Sequence, residues 1–274
     1  MTMPRLRLCL SGGGTSGILA HAAAVSKLHE LGYNITEFGG ISAGAVVAAA
    51  SASGKDPLSI AVGLLCASTP LETLNPGVYP YPQLYSGDGV LGALRRYLPG
   101  DMGEVTTPLS IITANVGLRR QEIWRSYKHP KAELALRVYA SLAVPGVFPP
   151  AMIGRWLYVD GGVTSNVGAR DLYGDAPEGD EVLVLRIRHT PDKQTNPSGM
   201  IEFFTAVLDT MLAHQAQEDI QGYSSLDLPV TGSLVDFQLS EGRAKEIITQ
   251  AQNAVQVWHW RKIGKMSPNP PSYP

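Results

Sequence analysis

The stretch Gly39-Gly40-Ile41-Ser42-Ala43-Gly44 constrains this chain more than any other. A short apolar run, Ile35 to Phe38, leads into it, and a run of small residues, Ala43 to Ala52, leads out. The pattern predicts a strand, a sharp turn and a helix, with a serine at the turn. Such a turn lifts a hydroxyl clear of the backbone, above a sheet and beside a helix N-terminus. The turn is crowded, so a Cβ at Gly40 or Gly44 would meet neighbouring backbone. Ser42 is therefore a candidate nucleophile. A G-x-S-x-G match alone is weak in a chain this rich in Gly and Ser, so its surroundings have to carry the reading.

The first of these surroundings is at the start of the chain. Arg5 to Leu10 reads as a strand, followed by Ser11-Gly12-Gly13-Gly14-Thr15-Ser16-Gly17. A helix is predicted from about Gly17 to Leu31, with Ile18, Ala22, Val25, Leu28 and Leu31 on one stripe and Gly32 as its left-handed cap. Strand, glycine loop, helix and strand make a βαβ unit, which points to a parallel sheet.

The glycine loop has two functional readings besides a plain tight turn. Its backbone N–H groups could form an anion pocket suited to the oxyanion of acyl transfer. Alternatively, Gly12-x-Gly14-x-x-Gly17 fits a dinucleotide fingerprint, with Glu37 near the place of a ribose-binding acid. The loop alone does not separate these. The Ser42 turn on the next strand favours the first, because a dinucleotide domain has no use for it there.

Further along, Pro57 to Ser68 is an amphipathic helix. Thr69 to Gly89 is dense in Pro and Tyr, and reads as an irregular surface segment: either a lid or acyl-chain entrance, or a structural loop. Gly89 to Leu98 is a helix and Leu109 to Val116 an apolar, central strand. Arg119, Arg120, Arg125 and Lys128 form a small basic cluster, read as a solvated face. The helix from Ala132 to Ala143 stops before Val144-Pro145. Gly146 to Pro150 then predicts an extended, stiff connection.

A short strand, Trp156 to Val159, ends at Asp160-Gly161-Gly162. Glu181 to Ile187 is a buried strand, Met200 to about Gly222 a core-packing helix, Leu234 to Leu239 a last strand, and Glu241 to about Lys262 the closing helix. The aromatic and basic end of that helix, Trp258 to Lys262, suits either interfacial membrane contact or cations at a helix C-terminus. Residues 1–266 read as one α/β domain with a mostly parallel central sheet between helices, and 267–274 as a Pro-rich disordered tail.

Bulk properties exclude some classes. The 274 residues carry a formal net charge of -2, so no basic face for nucleic acid is expected. The apolar run after the basic N-terminus stops at Leu10, too short for a signal-peptide core, and no stretch reaches membrane-span length. A cytoplasmic protein is expected. Cys9 and Cys66 read as buried thiols with no disulfide framework.

A serine nucleophile needs a base. None of the six histidines (21, 29, 129, 189, 214 and 259) sits in a setting that looks like a site. Only one predicted strand precedes the one leading to Ser42, too few for an α/β-hydrolase triad. The remaining option is a dyad with a carboxylate. An ordinary aspartate, with pKa about 3.9, is a weak base unless its site is dry. Asp160, at a strand end and followed by two glycines that let backbone crowd close, is the best placed.

The glycine loop, Gly40-Ile41-Ser42-Ala43-Gly44 and Asp160-Gly161-Gly162 together resemble the patatin-like phospholipases. Ala140-Ser141-Leu142-Ala143-Val144-Pro145 through Phe148-Pro149-Pro150 is similar to the stretch preceding that family's aspartate. The resemblance covers roughly residues 5 to 190. It implies a three-layer α/β fold and a Ser–Asp dyad of Ser42 and Asp160, with an oxyanion loop of Gly12, Gly13 and Gly14. It also implies hydrolysis of fatty-acyl esters of phospholipids or lysophospholipids without calcium or another cofactor. The partners implied are a lipid or ester substrate and a transiently touched membrane surface, with no nucleic acid. One departure is Ser16, where the family often has arginine. Two rivals stand beside this reading: a dinucleotide-binding oxidoreductase, and a non-catalytic protein of the same fold.

Overall fold

Alternation along the first strand sets up the layers. In β1 (Arg5–Leu10), Leu6, Leu8 and Leu10 enter one buried cluster, while Cys9 points to a second cluster on the opposite face with Ile41, Ile112, Val167 and Val184. Both faces of the sheet are therefore covered. The computed structural model describes residues 4–67, 86–174, 180–190, 196, 203, 206–207, 210, 220, 222–231 and 239–266.

In chain order the elements are β1, α1 (Gly14–Glu30), β2 (Asn34–Gly40), α2 (Ala43–Ala52), α3 (Pro57–Ala67), α4 (Asp88–Tyr97), β3 (Leu109–Asn115), β4 (Arg120–Arg125), α5 (Leu134–Leu142), β5 (Ala151–Ile153), β6 (Trp156–Asp160), α6 (Ala169–Tyr173), β7 (Glu181–Thr190), β8 (Ser224–Thr231) and α7 (Glu241–Met266). One eight-stranded sheet has the order β5-β6-β3-β2-β1-β7-β8, with β4 paired to β3 on its other side. The run β3-β2-β1-β7-β8 is parallel, whereas β4, β5 and β6 join by antiparallel pairing. The expected mostly parallel α/β sheet is the one observed.

β3 is buried along its whole length and serves as the rail for the site. Along one side it pairs first with β2, Gly40 opposite Ile111, and then with β6, Asp160 opposite Thr113. These two strands run in opposite directions and end facing each other. The gap is two residues of β3, roughly 7 Å.

All ten residues of α2 are buried, six of them alanine and one glycine, which lets the helix lie close against the sheet and against α1. Gly44 shows how close: a Cβ there would stand 2.2 Å from the Leu10 carbonyl oxygen. Cys9 is a buried thiol, as expected, and donates to the Val167 carbonyl at 2.9 Å. Among the described residues, no helix is long and apolar enough to cross a membrane.

Several expectations are corrected. α1 begins at Gly14 rather than Gly17, its first helical bond running from Gly17 N to Gly13 O at 3.0 Å. The glycines are thus the helix N-terminus itself. The predicted basic cluster is a strand, β4, which parts Arg119 and Arg120 at one end from Arg125 and Lys128 at the other. Gly146 to Pro150 opens with a turn in place of an extended link, since Gly146 takes φ 82 and both Val147 N and Phe148 N donate to Val144 O. β8 escaped prediction because Pro229 interrupts its pattern; it lies at the end of the strand order, where a missing N–H is tolerated.

Most of the Thr69 to Gly89 segment (69–85) and of the expected Leu234 to Leu239 strand (234–238), the tail at 267–274 and the Cys66 side chain lie outside the described residues, as does most of the predicted 200–222 helix. Positions 203, 206, 207 and 210 of that helix are helical.

Replacing Gly44 with Ala would drive a methyl group into the Leu10 carbonyl. A stability loss of roughly 3 kcal/mol or outright misfolding is expected. Urea unfolding of Gly44→Ala checks it, and an unchanged midpoint would contradict the packing described.

Candidate active site

The turn after β2 holds Ser42 at φ 52, ψ -121, a strained conformation for a residue with a side chain. The surroundings enforce it. A Cβ at Gly40 would lie 2.5 Å from Gly44 O, so strand and helix approach as only glycines allow. The Ser42 N–H donates to Ser141 Oγ at 2.9 Å, and Ser141 Oγ donates to Ile112 O at 2.7 Å. Ser141 thus ties the turn to β3 from α5. The sequence motif contained Ser141 but gave no cue to this contact, which needs α5 laid beside β3.

Asp160 is 4% exposed and Ser42 7%. Burial pushes the Asp160 carboxyl up to about 7, while hydrogen bonds from the Ser42 side chain and from Gly162 N–H hold it from rising further. The Gly162 bond is 2.7 Å, to Oδ1, and Asp160 N–H donates to Ala143 O at 2.9 Å. The structure therefore brings Ser42 and Asp160 into contact. Gly161 is needed beside them, because a Cβ there would stand 2.5 Å from Ile112 O.

The glycine loop borders the same spot. A Cβ on Gly12 would meet Ser42 Cβ at 3.6 Å and Asn166 Oδ1 at 2.5 Å. The three glycines are not equivalent. Gly12 N–H donates to Asn166 O at 3.0 Å, whereas Gly13 and Gly14 N–H, at the start of α1, meet no protein acceptor among the described residues. Gly13 and Gly14 are the donors left for a ligand, and Gly12 supplies close approach. Ser16, where an arginine was the family's common choice, is buried in the first turn of α1.

Two histidines discounted from the sequence brace this loop. His21 Nε2 contacts Ser11 O at 2.9 Å and His189 Nε2 contacts Gly13 O at 3.0 Å. A carbonyl only accepts, so each Nε2 is the donor. Complete burial lowers His21 to about 4, so it stays neutral. Neither histidine was legible as a site residue: His21 reaches back to the loop from the second turn of α1, and His189 reaches it across the fold from the end of β7.

Glu37, the candidate ribose-binding acid, lies within β2 opposite Arg7. Burial raises its carboxyl, while Arg125, Arg7 and a hydrogen bond from Ser110 lower it. It belongs to a structural charge cluster rather than to the glycine loop.

The patatin-like phospholipase family model matches residues 8–173, and the chain belongs to that family. An uncharacterized NTE family protein of Mycobacterium tuberculosis is 30% identical over 191 residues, 68% of this chain and 30% of that protein. The chain thus spans about a third of the length of this relative. Another uncharacterized NTE family protein, from Mycobacterium bovis, is 30% identical over 162 residues, 58% of this chain and 43% of its own length. Among solved structures, VipD from Legionella pneumophila aligns with TM-score 0.58 and 15% identity, over 94% of this chain and 66% of that one. Human GIVD cytosolic phospholipase A2 aligns with TM-score 0.52 and 13% identity, over 93% and 58% respectively. At these identities the two structures bear on the fold.

Ser141→Ala leaves the Ser42 N–H buried without its acceptor. A loss of about 1–3 kcal/mol in stability is expected, with Ser141→Thr milder because it keeps the hydroxyl. Thermal unfolding of the two variants is the check, and equal melting temperatures would contradict the role given to Ser141.

Proposed function

We propose that this chain is a serine acyl hydrolase that cleaves fatty-acyl esters of phospholipids or lysophospholipids through a dyad of Ser42 and Asp160. The observation that carries the reading is a strained serine hydrogen-bonded to a buried carboxylate, beside two uncommitted N–H groups.

Asp160 takes the Ser42 proton as Oγ attacks the ester carbonyl. Dryness makes this feasible, since a carboxyl near 7 is a far stronger base than an ordinary one near 3.9. Negative charge moves to the carbonyl oxygen, where the Gly13 and Gly14 N–H groups and the start of α1 receive it. One such donor is worth roughly 3 kcal/mol in the transition state. The bond from the acyl carbon to the alcohol oxygen breaks, Asp160 returns its proton to that oxygen, and an acyl-Ser42 ester remains. Water then attacks it, giving its proton to Asp160, and the fatty acid leaves with Ser42 restored.

Ser42→Ala is expected to abolish turnover and labelling by a fluorophosphonate, and Asp160→Asn to come close to doing so. Full turnover in either variant would remove the dyad. An unreactive wild-type Ser42 would favour the non-catalytic rival.

The pH dependence has a fixed sign. Asp160 must be ionised to act, so kcat/KM should rise as pH passes upward through about 7. Stability should move the other way. A folded value raised above the unfolded one means the native state holds the proton more tightly, so stability falls as pH climbs from about 4 to about 7 and then levels. Asp160→Asn should therefore melt higher than wild type above about pH 7 and match it near pH 4. Melting curves across that range decide the point, and a variant less stable than wild type at high pH would contradict it.

A further inference from the structure

At the end of the sheet that carries Ser42, two hairpins run on past the site. The β3–β4 turn follows the C-terminal end of β3, and the β5–β6 turn lies beside it because β6 is antiparallel to β3. Beyond Asp160 opposite Thr113, the ladder continues to Tyr158 opposite Asn115, and then Val116 N–H donates to Leu157 O at 2.9 Å. Met152 pairs with Leu157 from the other side. Residues directly opposite each other share a face. Met152, Leu157 and Val116 therefore form an apolar row across three strands, with Met152 58% and Val116 48% exposed and Leu118 at the tip 37%.

Arginines rim this row. Residues 116–122 and 152–156 include Arg119, Arg120 and Arg155 against one acid, Glu122, which pairs with Arg120 at 3.1 Å. The chain as a whole has a formal net charge of -2, so the local sign opposes the overall one. The tips are also held in shape. Leu118 N–H donates to Asn115 Oδ1 at 3.0 Å, and the Arg155 guanidinium sits 4.8 Å from the centre of the Trp156 ring. Gly117 lies so close to Trp156 that a Cβ would be 2.6 Å from the ring. A preformed tip has little ordering entropy to lose when it docks.

We propose that this rim docks on an anionic lipid surface, apolar row inward and arginines among the head groups, and so turns Ser42 towards the bilayer. The charge argues for lipid: cations near an anionic leaflet are attracted, and an otherwise acidic protein is oriented by them. The size argues likewise, since a handful of side chains falls short of the roughly 20–30 residues a side of a stable protein interface. The aromatic and basic end of α7, the segment the sequence suggested for membrane contact, is at the opposite end of the sheet. There Trp258 packs on Tyr33, His259 Nδ1 contacts Tyr33 Oη at 3.0 Å, and Lys262 bonds Glu181 at the start of β7.

The inference rests on the hydrolase reading for its choice of lipid, but vesicle binding by the Ser42→Ala chain does not depend on turnover and fails separately. That chain is sedimented with vesicles of phosphatidylcholine alone and of phosphatidylcholine mixed with phosphatidylserine. Stronger binding to the mixed vesicles, falling with added salt, is expected. The double variant Arg119→Asn, Arg155→Gln should lower that binding at least about tenfold; asparagine suits the φ of 52 at position 119. Val116→Ser with Met152→Ser should weaken binding to both vesicles. With Ser42 restored, these variants should hydrolyse a water-soluble short-chain ester as wild type does. No vesicle binding, binding unmoved by the tip variants, or ester turnover lost in step with binding would each overturn the proposal.

Discussion

Two strands that stop short of each other along one side of β3 create everything the site needs. β2 arrives parallel and β6 antiparallel, so their last residues approach from opposite directions. Each end carries a side chain that neither strand alone could use. The chain cannot relax this meeting, because Gly44 and Gly161 press directly on carbonyls of β1 and β3. The strain at Ser42 is held by that packing and by the Ser141 bridge rather than by any local preference of serine.

The same closeness sets the electrostatics. With Ser42 and Asp160 both nearly covered, the carboxylate loses water and has only the Ser42 hydroxyl and the Gly162 amide in exchange. Desolvation wins, and the carboxyl is raised into the range of a useful base. The arrangement that helps a proton transfer works against the fold at neutral pH. The half-buried Glu37 differs, because Arg125 and Arg7 work against the upward push of its burial. Of these two acids, the buried one, whose shift owes nothing to a cation, is the one beside the serine.

The sheet is polarised end to end. At its N-terminal end Tyr33, Trp258, His259 and Lys262 close the structure by packing and by the contact with Glu181. At its C-terminal end the glycine loop, the serine turn and the Asp160 loop leave amides open, and two hairpins add apolar and cationic tips. A stabilising end and an open end are what parallel sheets provide, since helix N-termini gather where the strands finish.

Much of this was legible from residue order. Ser42, Asp160 and the glycine loop announced themselves because each is a local backbone requirement: a strand end, a crowded turn and a helix start that only small residues satisfy. The buried strands were legible from apolar runs. β4 was not, because its polar start, Arg120-Gln121-Glu122, and its adjacent Ile123 and Trp124 make no clean alternation, so its arginines read as a solvated cluster. β8 was hidden by Pro229. The division of labour among Gly12, Gly13 and Gly14 depends on a carbonyl at Asn166, and the bracing of that loop in part on His189, neither of which neighbours it in sequence. What the sequence determined alone was where the backbone had to bend and which residues stood at those bends. Which of them touch, how dry the carboxylate is and which amides stay open were decided by the tertiary structure, because desolvation and hydrogen-bond partnership depend on atoms brought from other strands and helices.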